Sequence, residues 1–463
     1  MAIATQQPVA KPNCGARLDR LPNSRWHWKI YWLIGIDLLF GGMVNSVGGI
    51  VQAQLITLGW SNTNLNAVFT SLTMAGFFLG SLFGGIIGDR FGRKNSYKLC
   101  LIVHGLACIA AAFAPDMTSL IVLRFIMGIG VGALLVTLFA GLTEYVSASS
   151  RGQWSGRISF LGNWAYPLAS LLSMVITPML GVALNWRAMF LIPGIASIFI
   201  YLFVNAKFPE SPRWLESKGR YLEAETIMSA IEAEVEQQTG KKLEPVITIP
   251  AEEAKEKTIP FMHLFKGELL KRVILASFVL IAMNVIQYTL INWLPTIFLK
   301  QGVNIKDSVF MNTMSMFGAP FGVFIAAVVV DKISRKVMGV GLLVIMAVLG
   351  YIYSLSTDMN TICIIGFFLI TVVYMYVCYA SAVYVPEIWP TEARLRGSGF
   401  ANSIGRISAI VTPYGVAALL NSTGVTSVFV MLGTVAVVTA MAIAVLGIDT
   451  RKVSVEAIGE KAE

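Results

Sequence analysis

Long apolar runs broken by short polar turns dominate the chain, and the runs are of similar length. A helix that crosses a bilayer needs about 20 mostly apolar residues. By that measure six runs, 29–58, 65–88, 96–114, 118–143, 154–178 and 187–206, lead into a polar stretch at 207–270. Six more follow at 271–299, 306–330, 337–356, 360–385, 396–420 and 425–447. The pattern predicts an all-α membrane protein with twelve transmembrane helices in two pseudo-symmetric six-helix bundles, 29–206 and 271–447. Residues 1–28 and 448–463 are predicted as tails, and 207–270 as a linker with short helices. One linker helix is expected from about Tyr221 to Glu236, because Ile227, Ile231 and Val235 recur at helical spacing.

Composition agrees with a bilayer setting. Of 463 residues, 56% are hydrophobic and 13% charged, where a soluble domain carries about 25% charged residues. The net charge of +9 raises nucleic acid as a partner. The placement of the basic residues answers otherwise, since Lys and Arg collect in the cytoplasmic loops of membrane proteins. The turn after the second run holds Arg90, Arg93, Lys94 and Lys98, and the turn after the eighth holds Lys332, Arg335 and Lys336. The turns after the fourth and tenth runs hold Arg151, Arg394 and Arg396. The opposite turns, around Gly59, Pro115, Thr357 and Ser422, have no Lys or Arg; Arg187, Lys300 and Lys306 break the pattern. Both termini and the linker are therefore expected in the cytoplasm. About 28 mostly polar residues precede the first run, so no cleavable signal peptide is expected. The five Cys and three His show no ligand or disulfide spacing. With no Gly-rich phosphate loop or nucleophile motif, the reading is a non-enzyme without metal or cofactor.

The halves echo each other. Gly88-Asp89-Arg90-Phe91-Gly92-Arg93-Lys94 recurs in shorter form as Asp331-Lys332-Ile333-Ser334-Arg335-Lys336. Each half also has a glutamate ending its fourth helix with Arg-Gly downstream, Glu144 with Arg151-Gly152 and Glu387 with Arg396-Gly397. Arg93 and Lys94 are read mainly as orientation anchors, and Arg90, Arg93 and Arg335 are also gating candidates. Asp89 and Asp331 sit at helix ends, where a carboxylate can pair with a facing Arg or a positive helix N-terminus. Glu144 and Glu387, with Arg151, Arg394 and Arg396, are expected as inter-helix salt bridges that form and release between two states; static capping is the alternative.

An ionisable group inside a spanning helix is costly and marks a functional candidate. Asp37, Arg124, Arg157 and Arg406 are such groups. Arg406 lies ten residues beyond Arg396, about 15 Å of helix, which places it near mid-membrane. No acidic residue shares its helix. A guanidinium there stays charged and grips a carboxylate with two parallel hydrogen bonds; a structural or snorkelling arginine is the alternative. Arg157 sits nearer the membrane surface, where a gate role and snorkelling compete. Asp37, about two turns in, is a candidate proton carrier if water reaches it, or a fixed partner of an arginine. Arg124 is expected to hold Asn45 or backbone groups of the first helix, or to take part in coupling. Uncharged candidates for ligand contact are Asn284, Gln287, Tyr288 and Asn292 on one face of the seventh helix, Tyr374, Cys378 and Ser381 on the tenth, Asn45 and Gln52 on the first, and Trp164 with Tyr166 on the fifth. Hydrogen bonding between helices is the competing role for the polar ones.

Several strings resemble the major facilitator superfamily. The Gly88–Lys94 string matches its motif between helices 2 and 3. Arg124-Phe125-Ile126-Met127-Gly128-Ile129-Gly130 is similar to its helix-4 motif, with Met127 in place of a polar residue. Pro209-Glu210-Ser211-Pro212-Arg213-Trp214-Leu215 resembles the motif after helix 6 in sugar porters and in the organic-ion and synaptic-vesicle-glycoprotein-2-like groups. The sugar-porter pattern is incomplete, with Gln287-Tyr288-Thr289 in the seventh helix and Gly447-Ile448-Asp449 after the twelfth. Tyr384-Val385-Pro386-Glu387-Ile388-Trp389-Pro390-Thr391 and Gly405-Arg406-Ile407 look more like the organic-ion group, which includes bacterial niacin-type carriers. The resemblance implies two six-helix bundles in the cell membrane, bacterial and inner. It further implies a monomer that works by alternating access, with a small organic anion as substrate and Arg406 facing it. A proton is the expected coupling ion. A sugar or polyol carrier, an organic-cation or multidrug exporter, and a transporter-like sensor are the competing expectations.

Overall fold

The computed structural model describes residues 12–147, 149–245, 260–390 and 392–450. Its membrane-spanning elements begin with α2 (Arg25–Thr57), α3 (Thr63–Phe91), α4 (Arg93–Ala112) and α5 (Met117–Tyr145), after a short α1 (Cys14–Asp19). Next come α6 (Arg151–Asn163) and α7 (Ala165–Lys207), then α8 (Pro212–Ser217) and α9 (Tyr221–Thr239) outside the bundle. The second half comprises α10 (Gly267–Lys300), α11 (Ile305–Met316), α12 (Gly318–Val329), α13 (Arg335–Leu355), α14 (Met359–Cys378), α15 (Val385–Glu387), α16 (Arg394–Ser422) and α17 (Val425–Leu446).

Eleven continuous helical runs are long and apolar enough to cross a bilayer, and the longest, Arg151–Lys207, has 57 residues. At about 1.5 Å per residue it is far longer than one crossing of about 30 Å. Gly181, at φ 71 and ψ 166, turns the chain inside it. Asn185 then donates back to the carbonyl of Ser173 (2.9 Å), tying the two arms side by side. The result is twelve crossings, as the hydrophobic pattern predicts. The expected loop at 179–186 is replaced by a one-residue bend, because only a glycine takes that left-handed φ without strain.

Both halves start their even-numbered crossings alike. Asn62, Asp116, Asn304 and Asp358 cap α3, α5, α11 and α14, accepting from Leu65, Ser119, Asp307 and Thr361. These side chains satisfy helix donors that have no intrahelical partner. All four lie at the membrane side away from the termini. The Gly92 turn between α3 and α4 lies on the other side, at φ 93, and a Cβ there would meet the Glu210 carboxylate at 2.3 Å.

Outside the bilayer, α1, α8 and α9 form a cap on the first half. Leu18, Trp214, Leu215, Met228, Ile231 and Val235 bury against Trp26, Ile30 and Tyr145. Arg17 pairs with Glu232 (2.6 Å) and Glu225, and Arg213 with Asp19 (2.9 Å). The expected tail 1–28 thus contains a docked helix, and α2 begins at Arg25 with Ser24 at its cap. Residues 1–11, 246–259 and 451–463, with Ala148 and Thr391, lie outside the described residues.

The halves meet along four seams. Gly49 of α2 touches the backbone of Ile291 and Asn292 in α10. Ser71 of α3 donates to the carbonyl of Ile410 in α16 (2.7 Å), and Asn421 to Asn64 (3.0 Å). Ser170 of α7 accepts from Asn312 (2.9 Å) and lies 2.8 Å from the Thr313 hydroxyl of α11. Phe160 of α6 meets Phe324 of α12, ring centres 6.3 Å apart. The first three run from mid-membrane toward the side away from the termini, whereas the Phe160–Phe324 contact lies nearer the basic turns, five residues before the end of α12.

Candidate functional site

A cavity of about 150 Å³ opens on the inner face of the first half, with Tyr288 of α10 as the one lining residue from the second half among the described residues. Leu38, Gly41, Gly42 and Asn45 of α2 form one wall; Phe77, Val131, Leu135 and Phe139 form another; Ser159, Asn163, Tyr166 and Tyr288 complete it. The close approach of α2 to α7 depends on Gly42, where a Cβ would stand 2.6 Å from the Cβ of Ala165. The lining is aromatic and aliphatic with a few amides and hydroxyls, the usual make-up of a small-molecule site. The side-chain carbonyl of Asn45 is buried without a hydrogen-bond partner among the described residues.

Of the residues expected at a ligand, Asn45 and Tyr288 line this cavity. Tyr374 backs it through Tyr166, ring centres 5.3 Å apart, and buried Gln287 neighbours Tyr374. Trp164 packs edge-on against Phe317 and Phe160 at its margin. Asn284 and Asn292 donate to the carbonyls of Leu280 (2.7 Å) and Tyr288 (2.9 Å), one turn back on their own helix. Ser381 does the same to Val377 (2.7 Å) in the wider π-helical turn Tyr379–Tyr384, and Cys378 precedes that turn; neither lines the cavity. Gln52 donates to Thr70 (2.7 Å) and Gln54 to Ser173 (3.3 Å), so these amides join helices. Sequence reasoning passed over Phe77, Ser159 and Asn163, because an apolar face and isolated small polar residues carry no signal without a third dimension.

The four intramembrane charges are placed differently from one another. Arg406 of α16 is half-buried, and its guanidinium carbon lies 4.8 Å from the ring centre of Phe77, a cavity residue. It makes no hydrogen bond or ion pair among the described residues. Arg124 is fully buried, donates to the carbonyl of Val44 (2.7 Å) and lies over Phe69 and Phe190. Gly48, lacking a side chain, leaves room for Arg124 on one side and Asn292 on the other. Arg157 is exposed and lies between the rings of Trp28 and Trp154.

Asp37 is sealed at 0% exposure, and neither carboxylate oxygen has a hydrogen-bond partner among the described residues. Neither the open water access nor the arginine pairing expected for it is present in this conformation. The reason is helical phase. At about 100° per residue, positions 38, 41, 42 and 45 centre roughly a quarter-turn from 37. Asp37 therefore faces Tyr97 and Cys100 of α4, inside the first half. The Tyr97 hydroxyl donates to the carbonyl of Leu33 (3.0 Å).

At the Gly92 turn, Arg93 donates to Glu144 through Nε (2.8 Å), with Nη2 2.7 Å from the same oxygen, and pairs with Asp89 (2.8 Å). In the second half Arg335 repeats this with Glu387 (3.0 Å) and Asp331 (3.0 Å), and Thr450 donates to Glu387. The glutamates thus pair with the arginine of the basic turn in their own half, not with the downstream arginines expected. Arg151 instead donates to the carbonyl of Thr143 (3.1 Å), and Nε of Arg394 is buried without a partner among the described residues. Arg396 lies in the first turn of α16, and Arg90 lies over Phe91. The N-terminus of α4 is taken by Glu210, which accepts from the backbone of Arg93 (2.7 Å), Lys94 (3.1 Å) and Ser211 (2.9 Å). Burial outweighs these donors and holds the Glu210 carboxyl above its ordinary pKa.

The family model of the Major Facilitator Superfamily matches residues 33–413. The inner membrane metabolite transport protein YdjE of Escherichia coli (strain K12) is 47% identical over 96% of this chain and 98% of its own. The niacin transporter NiaP of Acinetobacter baylyi is 27% identical over 96% and 99%. Among solved structures, an inward-open conformation of the xylose transporter XylE from E. coli superposes with a TM-score of 0.73 at 17% identity, covering 94% of this chain and all of that one. That likeness concerns the fold alone.

Proposed function

The chain belongs to the major facilitator superfamily of membrane transporters, and from that premise we propose that it carries a small organic anion, an aromatic or heteroaromatic monocarboxylate, by proton-coupled symport. The observation that carries this reading is Arg406. It is a charged group beside an aromatic cavity, with no carboxylate partner among the described residues. A buried or half-buried guanidinium is stabilised by an anion that supplies what the protein omits. A cavity of about 150 Å³ suits a single-ring acid better than an oligosaccharide or a bulky drug. The relation to a niacin transporter supports the same class, since niacin is a ring bearing one carboxylate.

With the basic turns on the cytoplasmic side, three of the four seams between halves lie toward the opposite side. This conformation is then inward-facing, and the pairs around Arg93 and Arg335 lie at the cytoplasmic ends of each bundle. The working unit is a monomer in a bacterial inner membrane. Asp37 is the proton carrier of choice, being a sealed carboxylate that no arginine neutralises.

The test is a thermal-shift screen of purified protein against benzoate, nicotinate, xylose and tetraethylammonium. A ligand that binds the native state raises its apparent stability. Carboxylates are expected to stabilise, with the effect lost in Arg406→Ala, and uptake into proteoliposomes should respond to an inside-alkaline gradient. Stabilisation by xylose or by the amine, without the carboxylates, overturns the anion reading.

A further inference from the structure

Phe77 is packed to hold still. Its backbone carbonyl accepts from Ser81 (2.8 Å). Across α5, Gly132 sits so close that a Cβ there would lie 2.2 Å from that carbonyl oxygen, and a Cβ at Gly128 would lie 3.0 Å from the Phe77 nitrogen. Two glycines thus let α5 clamp the stretch of α3 that carries the ring. The ring is 4% exposed, lines the cavity, and reaches across to the second half, where it meets Arg406 at 4.8 Å.

We propose that Phe77 is the positioning residue for Arg406 and, resting on the anion reading above, sets the preference of the cavity for carboxylates over neutral rings. Contact with an aromatic face draws the cation electrostatically and uses none of its N–H donors. All five guanidinium donors therefore remain for the ligand. An arginine side chain has a large rotamer entropy to lose when it grips an anion. A fixed ring that already restrains it lowers that cost, which is how preorganisation raises affinity. The ring belongs to the first half and the guanidinium to the second, so the anion site is complete only while α3 and α16 are apposed at this level. The ring adds nothing specific for a neutral ligand of the same shape.

The experiment measures dissociation constants of benzoate and of benzamide, its neutral counterpart, on the purified full-length protein. Phe77→Leu is expected to weaken benzoate binding about tenfold more than it weakens benzamide, in keeping with the strength of a partly desolvated cation–π contact. Phe77→Tyr keeps an aromatic face and is expected to stay within about twofold of the parent, well inside the tenfold step that a lost contact gives. An apparent melting temperature within a few degrees of the parent shows that each variant is folded. Equal weakening of both ligands by Phe77→Leu, no weakening of benzoate, or failure of Phe77→Tyr to restore it overturns the positioning role. Arg406→Ala separates the two layers. If it binds benzoate like the parent, the anion reading falls and the inference with it. If Arg406→Ala loses benzoate while Phe77→Leu does not, the inference alone falls.

Discussion

Gly80 and Gly85 lie five residues apart on one helix and should respond oppositely to the same substitution. Along α3, Gly76, Gly80 and Gly84 face α5 at four-residue spacing, the small-residue pattern that lets membrane helices approach closely. A Cβ at Gly80 would lie 2.0 Å from the carbonyl oxygen of Ile129, and one at Gly84 2.7 Å from the Cα of Ala133. Those are backbone atoms and cannot rotate away. Relieving the contact to about 3 Å requires α3 and α5 to part by roughly 1 Å over their whole seam, and overpacking of that kind costs roughly 1–3 kcal/mol. At Gly85 the nearest atom is a methyl of Val136 at 4.0 Å. Alanine fits there and gains up to about 1 kcal/mol of helix propensity. Gly80→Ala and Gly85→Ala should therefore differ by roughly 2–4 kcal/mol. Because a membrane protein of this size unfolds irreversibly, the comparison is made as apparent melting temperature at one scan rate. Gly80→Ala should melt several degrees below the parent and Gly85→Ala at or above it. Equal melting temperatures for the two variants would refute the packing argument.

Two further outcomes follow from the charged ends of the first half. Glu144 is 19% exposed and is ion-paired and hydrogen-bonded with Arg93, whereas Asp89 is 70% exposed; Glu144→Gln should slow proteoliposome uptake more than Asp89→Asn, with substrate affinity kept in both, and a larger effect of Asp89→Asn would sink that ranking. At the cap, Arg17 lowers the pKa of Glu225, and burial of Glu232, which acts to raise its pKa, is outweighed by Arg17 and Arg20, so both carboxyls titrate below 4.5. The stability they give is present above the unfolded value near 4.5 and lost as pH falls through the lower folded values. It is worth about 1 kcal/mol or less per exposed pair. Limited proteolysis near α1 should therefore accelerate in the parent as pH falls below about 4.5. The acceleration should be smaller in Arg17→Ala, where Arg20 still pairs with Glu232.

The crossings were legible because burial in lipid demands uninterrupted apolar length, and that requirement is written one-dimensionally. The bend at Gly181 was not, since a single glycine among apolar residues looks the same in a straight helix. The repeat of Asp89 with Arg93 and Asp331 with Arg335 was visible, but the partners of Glu144 and Glu387 were not. Sequence proximity favoured Arg151 and Arg396, whereas the fold returns α4 and α13 beside the ends of α5 and α14. The docked α1 escaped notice because six residues have no measurable period. At the cavity, Asn45, Tyr288 and Arg406 stood out as polar groups in apolar helices. Phe77 could not, because among 26 phenylalanines only the contact with Arg406 distinguishes it.

The separation of Asp37 from Arg406 constrains how a proton and an anion are coupled under the proposed function. The two groups lie in different halves, and Asp37 faces α4 while Arg406 faces Phe77. Direct charge exchange between them is therefore not the route in this conformation. The element common to both events is α2. Asp37 sits on its α4 face, and Asn45, eight residues on, lines the cavity, about 12 Å along the helix axis. Protonation at Asp37 would alter the contact of its carboxyl with Tyr97, where the side chains of α2 and α4 meet, and α4 begins at Arg93, the residue that ties Asp89 to Glu144. A change at that contact can thus bias the basic turn and the cavity wall together, which is what coupling through a two-state element requires. On this view Asp37→Asn should abolish the response of uptake to a proton gradient while leaving benzoate affinity within about twofold, a change of under 1 kcal/mol. Loss of benzoate binding in Asp37→Asn would instead place the carboxylate's influence at the ligand and defeat the division of roles.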